Sequence, residues 1–511
     1  MTLPRLPNDC IYDILKYLKN DRSTLFNCLF VNRFWCKETV PLLYANPFDN
    51  QGKNDHLIIS TLILCFDETE ISQLKSYLCV EPYNVNDNDI TPKHNPLFEY
   101  IKYIEIVESR VFMKTTVNWV KDIAKEFHFK NLNGIITIFH HSIIRQCLNI
   151  KYLNIQPSYL ISNSKENINI FTSNLSKLKL LKLSFYEDLK YVDDYIEFLQ
   201  GISKNCLSIL RLEISICTSP LLSEYFCLII QNQNNLEAFK ILKYNYLLND
   251  VFLSLESQKG SLNFMEFEDI SFSNVSFENF KNLYNLKYLD FHNCSGKSLE
   301  QFKILKFASF KLNELRLVHN TWDGEITLLI IKYLGSSLQK LLLSDKLTIP
   351  LIENIFIYCL NLVTLEITID QDIDLLVFHY FQNLKIRILN LNFAKELSNT
   401  EVIINLAKNI PLCIKKLSIH FGLCFNNILH FEKFLENCHS DLEIINSDYY
   451  ANLEYLKMIL NYMKRNNNSL ISLGFIKKKW NDDEINLLNK IKSKGVNIVE
   501  FYEKIDYNFI A

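Results

Sequence analysis

A chain of 511 residues with 54 basic and 57 acidic side chains is long enough for several domains or for one elongated repeat array. Its near-balanced charge excludes a bulk electrostatic attraction to nucleic acid or to an anionic membrane. The apolar fraction of 48% is that of a folded protein, while the 10 glycines, far below the usual ~7%, leave many left-handed turns to asparagine. The opening residues lack the basic flank, apolar stretch and cleavage site of a secretory signal. The longest apolar run, Leu57 to Phe66, is half the ~20 residues of a membrane span. The expectation is a cytoplasmic and/or nuclear protein, with no membrane or nucleic-acid partner, whose 14 cysteines stay reduced.

In the opening stretch LPNDCIYDILKYL, Ile11, Ile14, Leu15 and Leu18 recur at i, i+3, i+4 and i+7, which predicts a helix entered after Pro7. STLFNCLFV predicts a second helix with Leu25, Cys28 and Leu29 on one side, and NRFWCKETVPLLY a third presenting Phe34, Trp35, Val40, Leu42 and Leu43. Three helices this short hold more apolar side chains than they can hide among themselves. Either they cover the open end of the downstream domain or they carry an interface for a partner. Next, LIISTLILC and DETEISQLKSYL predict a helical adapter, its second helix entered through a capping box of Asp67 and Glu70. The polar segment Glu81 to Pro96 reads as a surface loop.

From there to the C-terminus one phrase recurs: apolar, two variable, apolar, one variable, apolar. Fourteen copies begin at Ile150, Leu178, Leu207, Leu236, Leu262, Leu286, Leu312, Leu338, Leu362, Ile386, Ile414, Leu442, Leu470 and Val496, at spacings of 24 to 29 residues. A further copy at Ile101 stands 49 residues ahead, leaving room for a degenerate unit around Leu132 to Ile138. Within each phrase the fourth and sixth residues alternate with a variable fifth, the period of a strand with one buried face. Between phrases lie amphipathic helical segments such as VDDYIEFLQGISK, EITLLIIKYLG and DDEINLLNKIKSK. One strand and one helix cannot cover their own apolar faces; stacked copies can, with all strands parallel.

This phrase resembles the leucine-rich repeat, which implies an α/β horseshoe solenoid whose parallel sheet lines the concave face. The resemblance also implies an Asn or Cys after the phrase to satisfy backbone groups; Cys294 and Asn320 fill that place, whereas Tyr186, Tyr244, Ile270 and Gly422 do not, and Cys206 and Cys359 precede strands as in the cysteine-containing subclass. At the N-terminus, the order Leu-Pro, amphipathic helix, Val-x-Arg-x-Trp is similar to the F-box over residues 3 to about 46. Leu6, Pro7, Ile11, Ile14, Leu15, Leu18, Leu25, Cys28, Val31, Arg33 and Trp35 match it. That resemblance implies docking on a Skp-type adaptor and, through it, a cullin scaffold of an SCF ubiquitin ligase, with Trp35 either an anchor in the interface or the internal pin of the helices. The organisation expected is an F-box over 1–46, a helical adapter and polar loop over 47–98, and about 14–16 repeats over 99–511.

Residues three, five and seven of each phrase point to the concave side, where Arg211, Phe264, Glu266, Glu268, Tyr288, Asp290, His292 and Arg316 are the candidates for binding a protein substrate; Tyr502 extends the series, and all can equally be solvated sheet residues. No phosphate loop, nucleophile elbow or Cys-x-x-Cys pair is present, so neither catalysis nor a cofactor is expected. His140-His141 and the set Cys424, His430, Cys438 and His439 match no common zinc spacing, and Lys477 to Lys479 reads as a solvated loop. The expected function is the noncatalytic substrate receptor of an SCF-type ligase, or alternatively an interaction scaffold that keeps both modules without directing ubiquitylation.

Overall fold

The computed structural model describes residues 7–48, 56–78, 95–123, 132–157, 172–185, 192–217, 220–244, 248–296, 298–370, 372–393, 399–420, 428–476 and 479–501. Contacts divide the chain into two units, Met1–Gln258 and Lys259–Ala511. Leu6, Tyr186, Gly422, Cys424, Lys477, Tyr502 and most of the polar loop lie outside the described residues.

The first unit opens with three helices, α1 (Asn8–Tyr17), α2 (Arg22–Cys28) and α3 (Arg33–Ala45), followed by α4 (His56–Ile63) and α5 (Glu68–Leu78). The capping box at the head of α5 forms: Glu70 N–H donates to Asp67 Oδ1 at 2.8 Å and Asp67 N–H to Glu70 Oε2 at 2.9 Å. Strand β1 (Ile106–Glu108) is followed by two long helices, α6 (Ser109–Ile123) and α7 (Leu132–Gln146). These helices fill the 49-residue interval. The degenerate unit expected around Leu132 to Ile138 is therefore not a strand, because ten side chains of α7 are buried and a helix covers more of the core than a strand there; β1 pairs directly with β2 (Tyr152–Ile155). The chain then alternates strand and return segment through β3 (Leu180–Ser184), β4 (Arg211–Cys217) and β5 (Ala238–Tyr244), every pairing parallel and in chain order.

The second unit continues the pattern with β6 (Phe264–Glu268), β7 (Tyr288–His292), β8 (Glu314–Val318), β9 (Lys340–Leu343), β10 (Thr364–Ile369), β11 (Ile388–Phe393), β12 (Lys416–His420), β13 (Ile444–Tyr450), β14 (Ser472–Ile476) and β15 (Asn497–Glu500). All pair parallel in chain order. The architecture is an α/β solenoid. The fourth and sixth residues of the phrases, such as Met265 and Phe267, Leu289 and Phe291, or Leu315 and Leu317, are fully buried, each contributing roughly 1.5–3 kcal/mol of transfer free energy. Between β6 and β8 the described residues form no long return helix, only short turns such as Phe280–Asn282 and Leu299–Phe302. Phe272, Phe277, Phe280 and Phe302 fill the layer instead, Phe272 meeting Phe267 edge-on at 5.3 Å and Phe302 meeting Trp322 at 5.5 Å.

Backbone groups at the turns are satisfied by different side chains in the two units. In the second, Cys294 N–H donates to Asn320 Oδ1 and Asn320 Nδ2 to Phe291 O, both at 2.9 Å, while Ile270 is simply buried. In the first, buried glutamines serve: Gln233 Oε1 accepts from Ile209 N–H at 2.8 Å, and Gln258 Nε2 donates to Ile230 O at 3.0 Å and to Gln233 O at 2.8 Å. Cys206 and Cys359 are buried before their strands, and burial pushes both thiols up to about 12.

Candidate functional site

The N-terminal helices are built from caps inward. Pro7 O accepts the first α1 bond, from Ile11 N–H at 3.2 Å. Asp21 caps α2 by accepting Thr24 N–H at 3.0 Å and Thr24 Oγ1–H at 2.6 Å, bonds that hold its carboxyl below the usual range. Asn32 Oδ1 caps α3 by accepting from Phe34 and Trp35. The exit of α3 is closed by Arg22, whose guanidinium donates to the carbonyls of Leu43, Asn46 and Pro47 at 2.9–3.0 Å, a cation placed at a helix C-terminus where the dipole favours it. No sequence signal pointed to Arg22.

Ile11, Leu15, Leu25, Cys28 and Leu43 form the core of the three helices. Leu18 and Trp35 pack against it partly exposed, so Trp35 acts inside the module while keeping an accessible edge. The candidate anchors therefore separate. Leu15 is 0% exposed and works internally, whereas Ile14 and Val31 face outward, joined by Tyr12, Phe26, Tyr17 at 92% and Phe30 at 74% exposure. Phe26 and Phe30 meet edge-on at 5.5 Å. Phe26 and Phe30 thus form an exposed aromatic pair on α2 and the turn after it, while Tyr12 and Tyr17 are exposed on α1; these aromatic residues were missed because reading one helical stripe selects the buried face. The opposite end of the module is seated: Glu105 N–H donates to Ala45 O at 2.8 Å, Tyr44 packs on Tyr100, and Phe48 on Phe112.

The second candidate surface lies on the sheet face of the second unit. Phe264 and Tyr288, register partners on β6 and β7, stack with centroids 4.0 Å apart and planes 8° from parallel. Tyr288 Oη–H donates to Asp290 Oδ2 at 3.1 Å, Arg316 Nη1 donates to Tyr288 Oη at 3.2 Å, and Arg316 Nε lies 3.5 Å from Asp290 Oδ2. Burial, then the Asp290 charge, raises the Tyr288 phenol. Glu266 and Asp290 are register partners, as are Glu268 and His292. His292 also stands 6.0 Å from His319, ring centre to ring centre. Phe264, Glu266, Glu268, Tyr288, His292 and Arg316 are half-buried and Asp290 buried.

Arg211 is placed differently. On β4 the inward residues are Leu212 and Ile214, so the frame runs two residues later than the phrase beginning at Leu207. Arg211 stands in the row of Leu180 and Ala238, and Glu213 takes the place between Lys182 and Lys240, ion-paired to Lys182 at 2.5 Å. Among the described residues no three His, Cys, Asp or Glu side chains are arranged to hold a metal ion. His140 is buried, its Nδ1 bonded to Ile136 O at 2.8 Å and its Nε2 to Ser109 Oγ at 3.0 Å; Cys438 is buried, His430 half-buried and His439 exposed. No described helix is long and apolar enough to cross a membrane.

No family model and no curated protein matches the chain. Among solved structures it is similar to the leucine-rich repeat-containing protein LegL7 of Legionella pneumophila, at 14% identity over 52% of this chain and 90% of that one with a TM-score of 0.34. It is also similar to the Rad7 and Elc1 complex of yeast, at 17% identity, 66% and 92% coverage and a TM-score of 0.31. An internalin of Listeria monocytogenes aligns at 15% identity, 86% and 96% coverage and a TM-score of 0.25. Superpositions this loose carry no functional argument, and the architecture stands on strand order and register.

Proposed function

We propose that the chain is a noncatalytic substrate receptor: α1 to α3 dock on a Skp-type adaptor that joins it to a cullin scaffold, and the repeat sheet holds a protein for ubiquitylation by other subunits. The supporting observation is the exposed Phe26–Phe30 pair. A module with a five-residue core keeps Tyr17, Phe26 and Phe30 in solvent, and large apolar groups clustered at a surface mark a protein interface. The sequence pattern of the same helices supplies the kind of partner. Ligation then proceeds by proximity, the receptor raising the local concentration of the acceptor protein at the ubiquitin donor.

The test is co-purification of the full chain from its native cell, with proximity labelling in the presence and absence of a proteasome inhibitor. Recovery of both adaptor and cullin, with labelled proteins that accumulate under inhibition, supports the reading. Recovery of the adaptor without a cullin makes the chain a scaffold that does not direct ubiquitylation.

A further inference from the structure

The entry edge of the strands in the second unit is strongly basic. In the repeats of β7 to β12, the residue before the first apolar residue of the phrase and the two after it hold seven cations and one carboxylate, Glu314, formally +6 in a chain whose net charge is −3. Lys340 pairs with Glu314 at 2.8 Å, and Lys415 with Glu443 of the next repeat at 3.2 Å. Lys287, Lys311, Lys385, Arg387 and Lys416 hold no ion pair or side-chain hydrogen bond among the described residues, and all but the half-buried Lys416 are exposed. The edge is continuous. Backbone N–H groups of Asn313, Gln339, Val363, Arg387 and Lys415 donate in turn to the carbonyls of Lys287, Asn313, Gln339, Val363 and Arg387, each at 2.8–2.9 Å.

The neighbouring carboxylates Glu278 and Glu300 pair with Lys281 and Lys303. On the next outward row Asp290 meets Arg316, and Glu366 accepts from the amides of Asn390 and Asn392. Asp441 and Glu443 end the stripe at β13. The helices Gly324–Leu334 and Thr400–Lys408 add Lys332 and Lys408 in their last turns. Exposed apolar side chains stand among the cations: Leu360 at 77%, Leu412 at 73%, and Val363.

From this juxtaposition we infer that the strand-entry edge of β7 to β12 docks an acidic segment of a partner protein, whose Asp and Glu side chains meet Lys385, Arg387 and Lys416 and whose large apolar side chains cover Leu360, Val363 and Leu412. The charges are complementary, and an attraction of this kind steers encounter and rejects basic partners. β10 argues against a phosphate backbone as the occupant. Its entry positions, Asn361, Val363 and Thr364, carry no charge, so the cations of β9 and β11 stand two strand spacings apart, roughly 10 Å. Val363 and Leu360 fill that break. A nucleic-acid strand takes charge along its whole path and aromatic rings to stack on, whereas the exposed apolar groups beside Arg387 are aliphatic. The inference is independent of the N-terminal helices, since every residue it uses lies in the second unit.

The test is a random peptide library displayed on yeast and sorted on the purified full chain at low salt, followed by titration of the enriched peptides. Enriched peptides are expected to be rich in Asp and Glu and to carry a large apolar residue, and their affinity should fall with added sodium chloride, as a screened attraction does. K385E/R387E, two reversals at exposed positions, should bind them at least about tenfold more weakly with the urea midpoint unchanged. K385Q/R387Q, which removes the charges without reversing them, should give an intermediate loss, and decides alone where the reversal disturbs the fold. L412S should weaken binding several-fold. K346E, an exposed lysine past the exit end of β9, should bind as wild type does. A selected pool without acidic enrichment, or equal affinity of acidic peptides for wild type and both double variants, overturns the inference. So does a single-stranded oligothymidylate that binds more tightly than the peptides and is lost in K385E/R387E, which would make the edge a nucleic-acid track.

Discussion

The three N-terminal helices and the repeat sheets solve the same problem with opposite outcomes. Inward strand residues such as Phe267 and Leu315 are fully buried, because every unit lends a face to the next. The helices are seated on the rest of their unit at the Ala45 end, and they bury Leu15 and Leu25 while Phe30 and Tyr17 stay outside. A repeat array finishes its own core. The module ends in an exposed aromatic surface.

The largest effect expected from breaking this contrast is in the sheet. Phe267→Ala removes a ring packed against Phe272 and Phe291 and should cost about 3–5 kcal/mol, read as a fall in the urea midpoint. Phe30→Ala on the module should cost less than about 0.5 kcal/mol in the same assay. A comparable loss at Phe30 would mean that the Phe26–Phe30 pair belongs to the fold.

His140 sharpens the boundary between the adapter helices and the repeats. Burial lowers its pKa from 6.5 to about 4, so the fold holds it neutral between Ile136 O and Ser109 Oγ. The unfolded chain takes up a proton in that window and the fold does not, so the contribution is full above about pH 6.5. It is lost as pH falls towards 4, by roughly 3 kcal/mol in total. Stability measured against pH should show this slope in wild type and lose it in His140→Gln.

A smaller change tests the turn ladder. Asn320→Ala strands the Cys294 N–H and the Phe291 carbonyl and should cost about 1–3 kcal/mol. Asn361→Ala, whose exposed amide reaches only Ser336 O, should cost less than half as much in the same denaturation assay.

The strand positions were legible because a buried residue at every second place is a strong signal, and the capping box at Asp67 and Glu70 because its spacing is fixed by helix geometry. Frames were less so. Ile209 to Ile214 offers apolar residues in two frames two residues apart, and a shift of two preserves the alternation, so only the exposure of Leu207 and the pairing of Leu212 with Leu181 decide between them. At β15 the pattern slips by one, Ile498 rather than Val499 pairing with Leu473, because Ile498 and Val499 are both apolar in a half-exposed strand. The phrase at Ile101 begins as a single helical turn, Tyr100–Tyr103, with the strand only at Ile106. Gln233 and Gln258 were invisible as ladder residues, since a glutamine is ordinarily a surface residue and only the fold supplies their backbone partners. In the helices the stripe at Ile11 and Leu15 was legible as apolar, but which side faces out depends on how α1 to α3 pack.

The docking claim is tested most directly by calorimetric titration of the full chain with a Skp-type adaptor, wild type against a Phe26→Ala, Phe30→Ala double variant. Binding by the wild type, weakened at least about tenfold in the variant with its urea midpoint preserved, is the predicted result, as loss of aromatic anchors at an interface requires. Equal affinity of the two chains would contradict it.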